Sequence, residues 1–226
     1  MHYWLLLLLL WAGYAQGSDF DRGMEAFQAQ EYTRALAILT PLAQQNDANA
    51  QHRIAVMYRH GMGVNVDHQQ ALDWYKKAAD NDHLKAQTSV AAMFYFSIGI
   101  KADWSQAAHY WSLAAQQGDG KSQESYGLML IQGEGEAQNL KKAALWLSMA
   151  ARQQRPRAQL ALGMLLLAGE GIKKSEEGGL QWIEKAAIAN HKPAQWALYR
   201  TFKDGLYGQA EDEVRAQFWQ RHYQRR

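Results

Sequence analysis

A chain of 226 residues is long enough for one ordinary domain, and its 24 Lys and Arg nearly balance its 22 Asp and Glu, for a formal net charge of only +2. That balance offers no basic stretch for nucleic acid, and the absence of cysteine excludes both a disulfide framework and lipobox acylation. The folded chain must hold itself together by packing alone.

Residues 1 to 11 are almost wholly apolar around the leucine run 5–10, and small residues follow at Ala12, Gly13, Ala15 and Gly17. The run is shorter than the about 20 residues that cross a bilayer. It reads as a signal peptide over residues 1–17, cut after Ala15 or Gly17, which predicts a periplasmic or secreted protein without stable membrane insertion. The segment carries no Lys or Arg and only His2 beside the amino terminus, so retention as an uncleaved anchor is the alternative.

Residues 18–48 form a first helical unit whose connection, residues 28–31, is short and lacks glycine. With Gly23, Tyr32, Ala35 and Leu39 this stretch resembles a tetratricopeptide unit.

A 36-residue beat then runs through residues 49–208 without insertion or deletion. A small residue recurs at Ala50, Ala86, Ser122, Ala158 and Ala194, each followed by glutamine: Gln51, Gln87, Gln123, Gln159 and Gln195. An aromatic keeps the beat at Trp74, Tyr110, Trp146, Trp182 and Phe218, and alanine pairs keep it at residues 78–79, 114–115, 150–151 and 186–187. Each unit reads as two helices. In the first complete one, residues 49–60 carry Ile54, Met57 and Tyr58 at helical spacing, and Gly61 and Gly63 end the helix. Gly133 with Gly135, and Gly169 with Gly171, repeat that device, while Ser97 and Gly99 keep half of it. Asp67, Asp103, Asn139 and Ser175 share one register and can each accept from a free amide at the start of the second helix. That helix ends near Asp82, Gly118, Gln154 or Asn190.

The alanine pairs predict close backbone approach between neighbouring units, with the nearby aromatic filling the remaining space. The glutamines are expected to serve the helix starts at these junctions. Residues 209–226 break the pattern, with Arg215 in the alanine slot and His222 and Tyr223 where the pair belongs, after Tyr207 in the glycine slot. This predicts a capping helix. No linker interrupts the array, which predicts one continuous domain.

Ala158, Leu162, Gly163, Gly169, Gly171, Trp182, Ala186 and Ala187 match the small residue, Leu-Gly, Gly-x-Gly, Trp and Ala-Ala pattern of the Sel1-like repeat family, which the chain resembles over residues 50 to about 206. The resemblance implies an all-α, right-handed α-solenoid that mediates protein–protein contacts, often in bacterial envelopes or signalling assemblies.

Nothing in the sequence points to catalysis, a cofactor or a metal. Gly120, Lys121 and Ser122 imitate the end of a phosphate-binding loop, but Ala115 stands where the first glycine is required and a helix precedes it. His52 and His60 lie two helical turns apart, too far for one metal, and read as surface histidines; Glu134, Glu136 and Glu170 read as solvated loop carboxylates.

If the first helix of each unit lines a concave side, as in tetratricopeptide arrays, positions two, six and nine residues after the small residue point into a groove. There stand Val56, Tyr95, Leu128, Ile131, Leu160, Met164, Leu167 and Trp196. Lys85, Lys121 and Arg157 form a basic row beside them. An apolar trough flanked by cations fits a peptide or helix segment of another protein with acidic flanks. The alternative is that these side chains pack on one another. The expected function is an exported scaffold or adaptor that binds a partner segment in the groove. Its rivals are a cell-wall-acting hydrolase and a structural subunit of an envelope complex.

Overall fold

The structure, a computed structural model, describes residues 18–224. The apolar segment read as a signal peptide lies outside the described residues. What is described is all α, with no strand among the described residues. Helices α1 (Asp19–Gln28), α2 (Tyr32–Gln44), α3 (Ala48–His60), α4 (His68–Asp80) and α5 (Leu84–Tyr95) belong to one compact unit that ends at residue 102. Helices α6 (Trp104–Gln116), α7 (Gly120–Gln132), α8 (Leu140–Arg152), α9 (Pro156–Ala168), α10 (Glu176–Ile188), α11 (Lys192–Lys203) and α12 (Glu213–Gln224) belong to a second. The sequence does not announce this division, because the 36-residue beat runs through it unbroken.

Most helix boundaries have a local chemical cause. At the starts of α4, α6, α8 and α10 the side chains of Asp67, Asp103, Asn139 and Ser175 accept from the amides of Gln70, Gln106, Lys142 and Gly178 at 2.8 to 3.1 Å. A second set of caps, which the sequence pattern did not single out, starts the alternate helices: Asp47, His83 and Asp119 accept from Ala50, Ala86 and Ser122. Arg155 and His191 occupy the same register for α9 and α11, and there a proline, Pro156 or Pro193, stands in the first turn instead. At the other ends Gly61, Gly133 and Gly169 are left-handed caps. Asp82, Gly118, Gln154 and Asn190 all adopt positive φ, as their placement at turns requires.

The second glycine of each loop does something else. Gly171 lies so close to the start of α8 that a Cβ built there would stand 2.3 Å from the carbonyl carbon of Leu140. Gly135 makes the same approach to Trp104 at the start of α6, and Gly63 to Tyr32 at the start of α2. Within each unit, then, the loop of one helix pair rests on the preceding pair, with Gly63, Gly135 and Gly171 against backbone and Gly99 against the His68 side chain.

Packing follows the alanine pairs. All eight alanines of the four pairs are at most 1% exposed. In the amino-terminal unit Leu39, Ala43, Ala50 and Ile54 form a cluster against Phe20, Tyr58 and Trp74, and Ala26, Ala35 and Met57 form another. In the carboxy-terminal unit a continuous cluster runs from Leu167 and Ile183 through Leu198 and Phe202 to Trp219 of α12. The capping helix is therefore docked through Ala216 and Trp219, while Arg215 lies over the Phe202 ring at 3.7 Å.

The five repeated glutamines explain why the register holds. In each, Nε2 donates back eight residues to the carbonyl of an alanine at the end of the preceding helix: Gln51 to Ala43, Gln87 to Ala79, Gln123 to Ala115, Gln159 to Ala151 and Gln195 to Ala187, at 3.0 to 3.3 Å. These side chains are at most 5% exposed. Buried carboxamides of this kind contribute roughly 1 kcal/mol each and cost more than that when unmade.

Candidate functional site

Each of the two units carries some of the residues predicted to receive a partner. In the amino-terminal unit Val56 and Tyr95 are half-buried and Lys85 is exposed. In the carboxy-terminal unit Met164 and Trp196 are each 43% exposed. Leu128, Ile131 and Leu160 are half-buried, and the cations Lys121 and Arg157 stand exposed. Five of the six apolar positions at the predicted spacing on α7, α9 and α11 thus keep surface that packing has not consumed.

Leu167 is a correction. It is 3% exposed and belongs to the core with Ile183 and Leu198. The reason lies on another helix: Gly179 stands in the register of Ala71, Ala107 and Ala143, and a Cβ there would come within 2.7 Å of the Leu167 side chain. Leu167 fills the space that the missing methyl leaves.

Two polar features on these helices had no signal in the period. Glu124 is 3% exposed, yet its carboxylate accepts from Arg155 Nη2 at 3.3 Å while its second oxygen has no partner among the described residues. Tyr126, where other repeats carry an aliphatic residue, donates to Glu136 at 2.7 Å, and Lys142 donates to both of them. Glu136 is therefore tied down rather than simply solvated. Burial and the Glu136 carboxylate push the Tyr126 hydroxyl above its ordinary range, so it remains a phenol and holds the loop between α7 and α8.

His52, read as a surface residue, is half-buried and stacked on His83 with ring centroids 4.5 Å apart, and it also meets Tyr75. Burial, then the His83, Arg53 and Lys85 charges, lower its pKa to about 4. His83 is lowered mainly by burial, against an opposing pull from Asp47, and its Nδ1 must stay unprotonated to accept from Ala86. The unfolded imidazoles take up protons near pH 6.5 and the folded ones only below that, so protons favour the unfolded chain. We expect the stability contributed by neutral His52 to be fully present above pH 6.5 and lost as pH falls towards 4, by about 1–2 kcal/mol once solvent screening of the partly exposed ring is allowed for. Melting temperatures at pH 7.5 and 4.5 should converge in His52→Leu relative to the parent; an identical drop in both would remove His52 from the account.

Two clefts open in the carboxy-terminal unit, both away from the predicted apolar row. One, of about 370 Å³, is bordered by Glu176, Glu177, Glu184, Phe202, Tyr207 and Arg215. The other, of about 620 Å³, lies where α8 ends and α9 begins, against α10; Arg152, Gln159, Trp182, Lys185, Ile188 and Ala189 border it. The second had a legible signal. Asn81, Gln117 and Gln153 repeat an amide at one register position, and Ala189 breaks it. Among the described residues no three His, Asp or Glu side chains are placed to hold a metal ion, and no helix is long and apolar enough to cross a membrane.

Comparison with known proteins agrees with this architecture. The family described as Sel1 repeat matches residues 48–83, 84–119, 120–154 and 156–191, more than half of the chain. A Sel1 repeat protein from Oxalobacter formigenes superposes with a TM-score of 0.77 at 28% identity, covering 89% of this chain and 83% of that one. A protective antigen present in uropathogenic Escherichia coli strains, displaying an SLR fold, superposes with a TM-score of 0.79 at 24% identity over 85% of this chain; the match spans 41% of that protein's length. A search of curated proteins returns no match. Sel1 repeat proteins are generally scaffolds for protein–protein contact. Four consecutive matched repeats, helix pairs on the same 36-residue beat and a solenoid neighbour that covers most of both chains have one meaning: the chain belongs to the Sel1 repeat family.

Proposed function

We propose that this chain is an exported scaffold that binds a segment of a partner protein along the first helices of its repeats. The observation that carries the reading is the surface left on α7, α9 and α11: Met164 and Trp196 are exposed, and Leu128, Ile131 and Leu160 are half-exposed. They share register positions on successive first helices instead of being scattered singly, as exposed apolar side chains ordinarily are. Lys121 and Arg157 stand on the same helices, so the surface accepts an amphipathic segment with acidic flanks. Support for export is the apolar run at residues 5–10 with the small residues after it.

The test is site-specific photocrosslinking at position 164 in intact cells. The captured species should be an envelope or extracellular protein, crosslinked to a chain whose amino terminus lies near Gln16 or Ser18. With that partner purified, Met164→Ser and Ile131→Ser should weaken binding by up to about thirtyfold, the scale of a hot spot worth 2 kcal/mol, with melting nearly unchanged. Leu167→Ser should instead lower stability by about 2–4 kcal/mol, as a core truncation does. If Met164→Ser melts early and binding falls only in step with unfolding, the row is structural and the reading fails.

A further inference from the structure

The cleft at the α8–α9–α10 junction shares no residue with the row just described, and it is defined by a side chain that the repeat omits. At the preceding junction, Gln153 fills the corresponding place. Its Nε2 donates to Gln123 Oε1 at 2.9 Å and to the carbonyl of Gly118 at 3.0 Å, using both hydrogens of one carboxamide nitrogen. In the amino-terminal unit Asn81 donates in the same way to Gln51 Oε1 at 3.2 Å. One repeat beyond Gln153 the residue is Ala189, which has nothing to donate.

The consequence is recorded in the acceptors. Gln159 stands in the register of Gln123, is 5% exposed, and spends its Nε2 on the carbonyl of Ala151. That bond fixes which way the amide is turned, and Oε1 then finds no hydrogen-bond partner among the described residues. Gln154, which takes the place of Gly118 and likewise has positive φ, borders the cleft too. Two oxygens that an NH₂ group joins at the previous junction are here left without it. A buried acceptor in this state loses its hydration with no hydrogen bond to offset the loss.

Which donor fits is decided by the rim. Arg152 and Lys185 border the cleft, and the Lys185 ammonium is engaged over the Trp182 ring at 4.2 Å. Two cations disfavour an incoming ammonium or guanidinium and favour a neutral donor next to an anion. Trp182 and the 69% exposed Ile188 add apolar surface larger than a free amide covers.

We propose that this cleft binds a protein segment presenting an Asn or Gln side chain beside an acidic residue, the carboxamide taking the place left open by Ala189 and the carboxylate meeting Arg152 and Lys185. The bound NH₂ donates to Gln159 Oε1 and to the Gln154 carbonyl. No covalent step is involved.

The probe is the peptide Ala-Asn-Glu-Ala, acetylated at its amino end and closed as an N-methylamide so that the Asn side chain supplies its one primary carboxamide. Titrated into the ¹⁵N-labelled full chain, it should shift the Trp182 indole and Gln159 side-chain amide resonances saturably in the millimolar range. Ala-Leu-Glu-Ala, closed in the same way, should bind at least tenfold more weakly, the scale of one lost hydrogen bond to a buried acceptor. Lys185→Glu should weaken the Asn peptide and leave the ratio between the two peptides unchanged. Ala189→Gln is the decisive variant. Position 189 is exposed, so the longer side chain is accommodated; it should close the junction as Gln153 does, raise Tm by roughly 2–4 °C, and abolish the response to the Asn peptide. Equal affinity for the two peptides, undiminished binding by Ala189→Gln, or no saturable shift up to ten millimolar would each overturn the proposal.

Discussion

Gly171→Ala should destabilise the carboxy-terminal unit by about 2–5 kcal/mol, a large effect for one methyl group. Two separate penalties coincide at this position. Gly171 has φ +70°, where any other residue loses about 1–2 kcal/mol. Its Cβ would also stand 2.3 Å from the carbonyl carbon and 2.4 Å from the oxygen of Leu140, and these are backbone atoms that cannot swing aside as a side chain can. Overpacking of this kind costs about 1–3 kcal/mol more. Gly118→Ala separates the two terms: its φ is +91°, yet nothing lies within 4 Å of the added carbon, so only the conformational penalty remains. Urea unfolding followed by circular dichroism should place the two variants at clearly different midpoints. Equal losses would show that the loop does not rest on α8 as tightly as described.

Gln123→Leu and Gln159→Leu should differ although the two glutamines occupy one register. Leucine at 123 removes the donor to the Ala115 carbonyl and leaves the Gln153 carboxamide with Gly118 alone, in a site 4% exposed. We expect a loss of about 2–3 kcal/mol. Leucine at 159 removes the donor to Ala151 but also an oxygen that had no partner, so the two terms offset each other and the loss should be about 1 kcal/mol or less. If both variants lose the same amount, Gln159 Oε1 is satisfied in solution and the vacancy at Ala189 is not felt.

The all-helical array was legible because every junction asks the same question and the sequence answers it alike. Two backbones approach, so alanine pairs recur; a helix starts, so Asp67, Asp103, Asn139 and Ser175 recur. Legibility ended where one residue's environment is made by a deviation elsewhere. Leu167 has the spacing of a surface residue and is buried because Gly179 lacks a methyl on the facing helix. His52 reads as solvent-exposed until His83, thirty-one positions on, closes over it. The apolar row on α7, α9 and α11 could be proposed from spacing, but not how much of each side chain remains exposed, which depends on neighbours of unlike size. The cleft was present in the sequence as an exception: periodicity draws the eye to what repeats, and Ala189 matters for not repeating.

The glutamine ties have one more consequence. Each closes over eight residues, and the carboxamide contacts that accompany them within a unit reach back at most 35. Every such bond can therefore form once the next helix has been synthesised, with no need to wait for a distant strand or a terminal segment. Low contact order of this kind favours rapid folding. On the ribosome, where residues emerge at about 5–20 per second, a repeat has seconds to dock before its successor appears. The chain should become structured in steps of one repeat, each new helix pair finding a finished surface, and a translation pause after any alanine pair would leave a folded and protease-resistant stump.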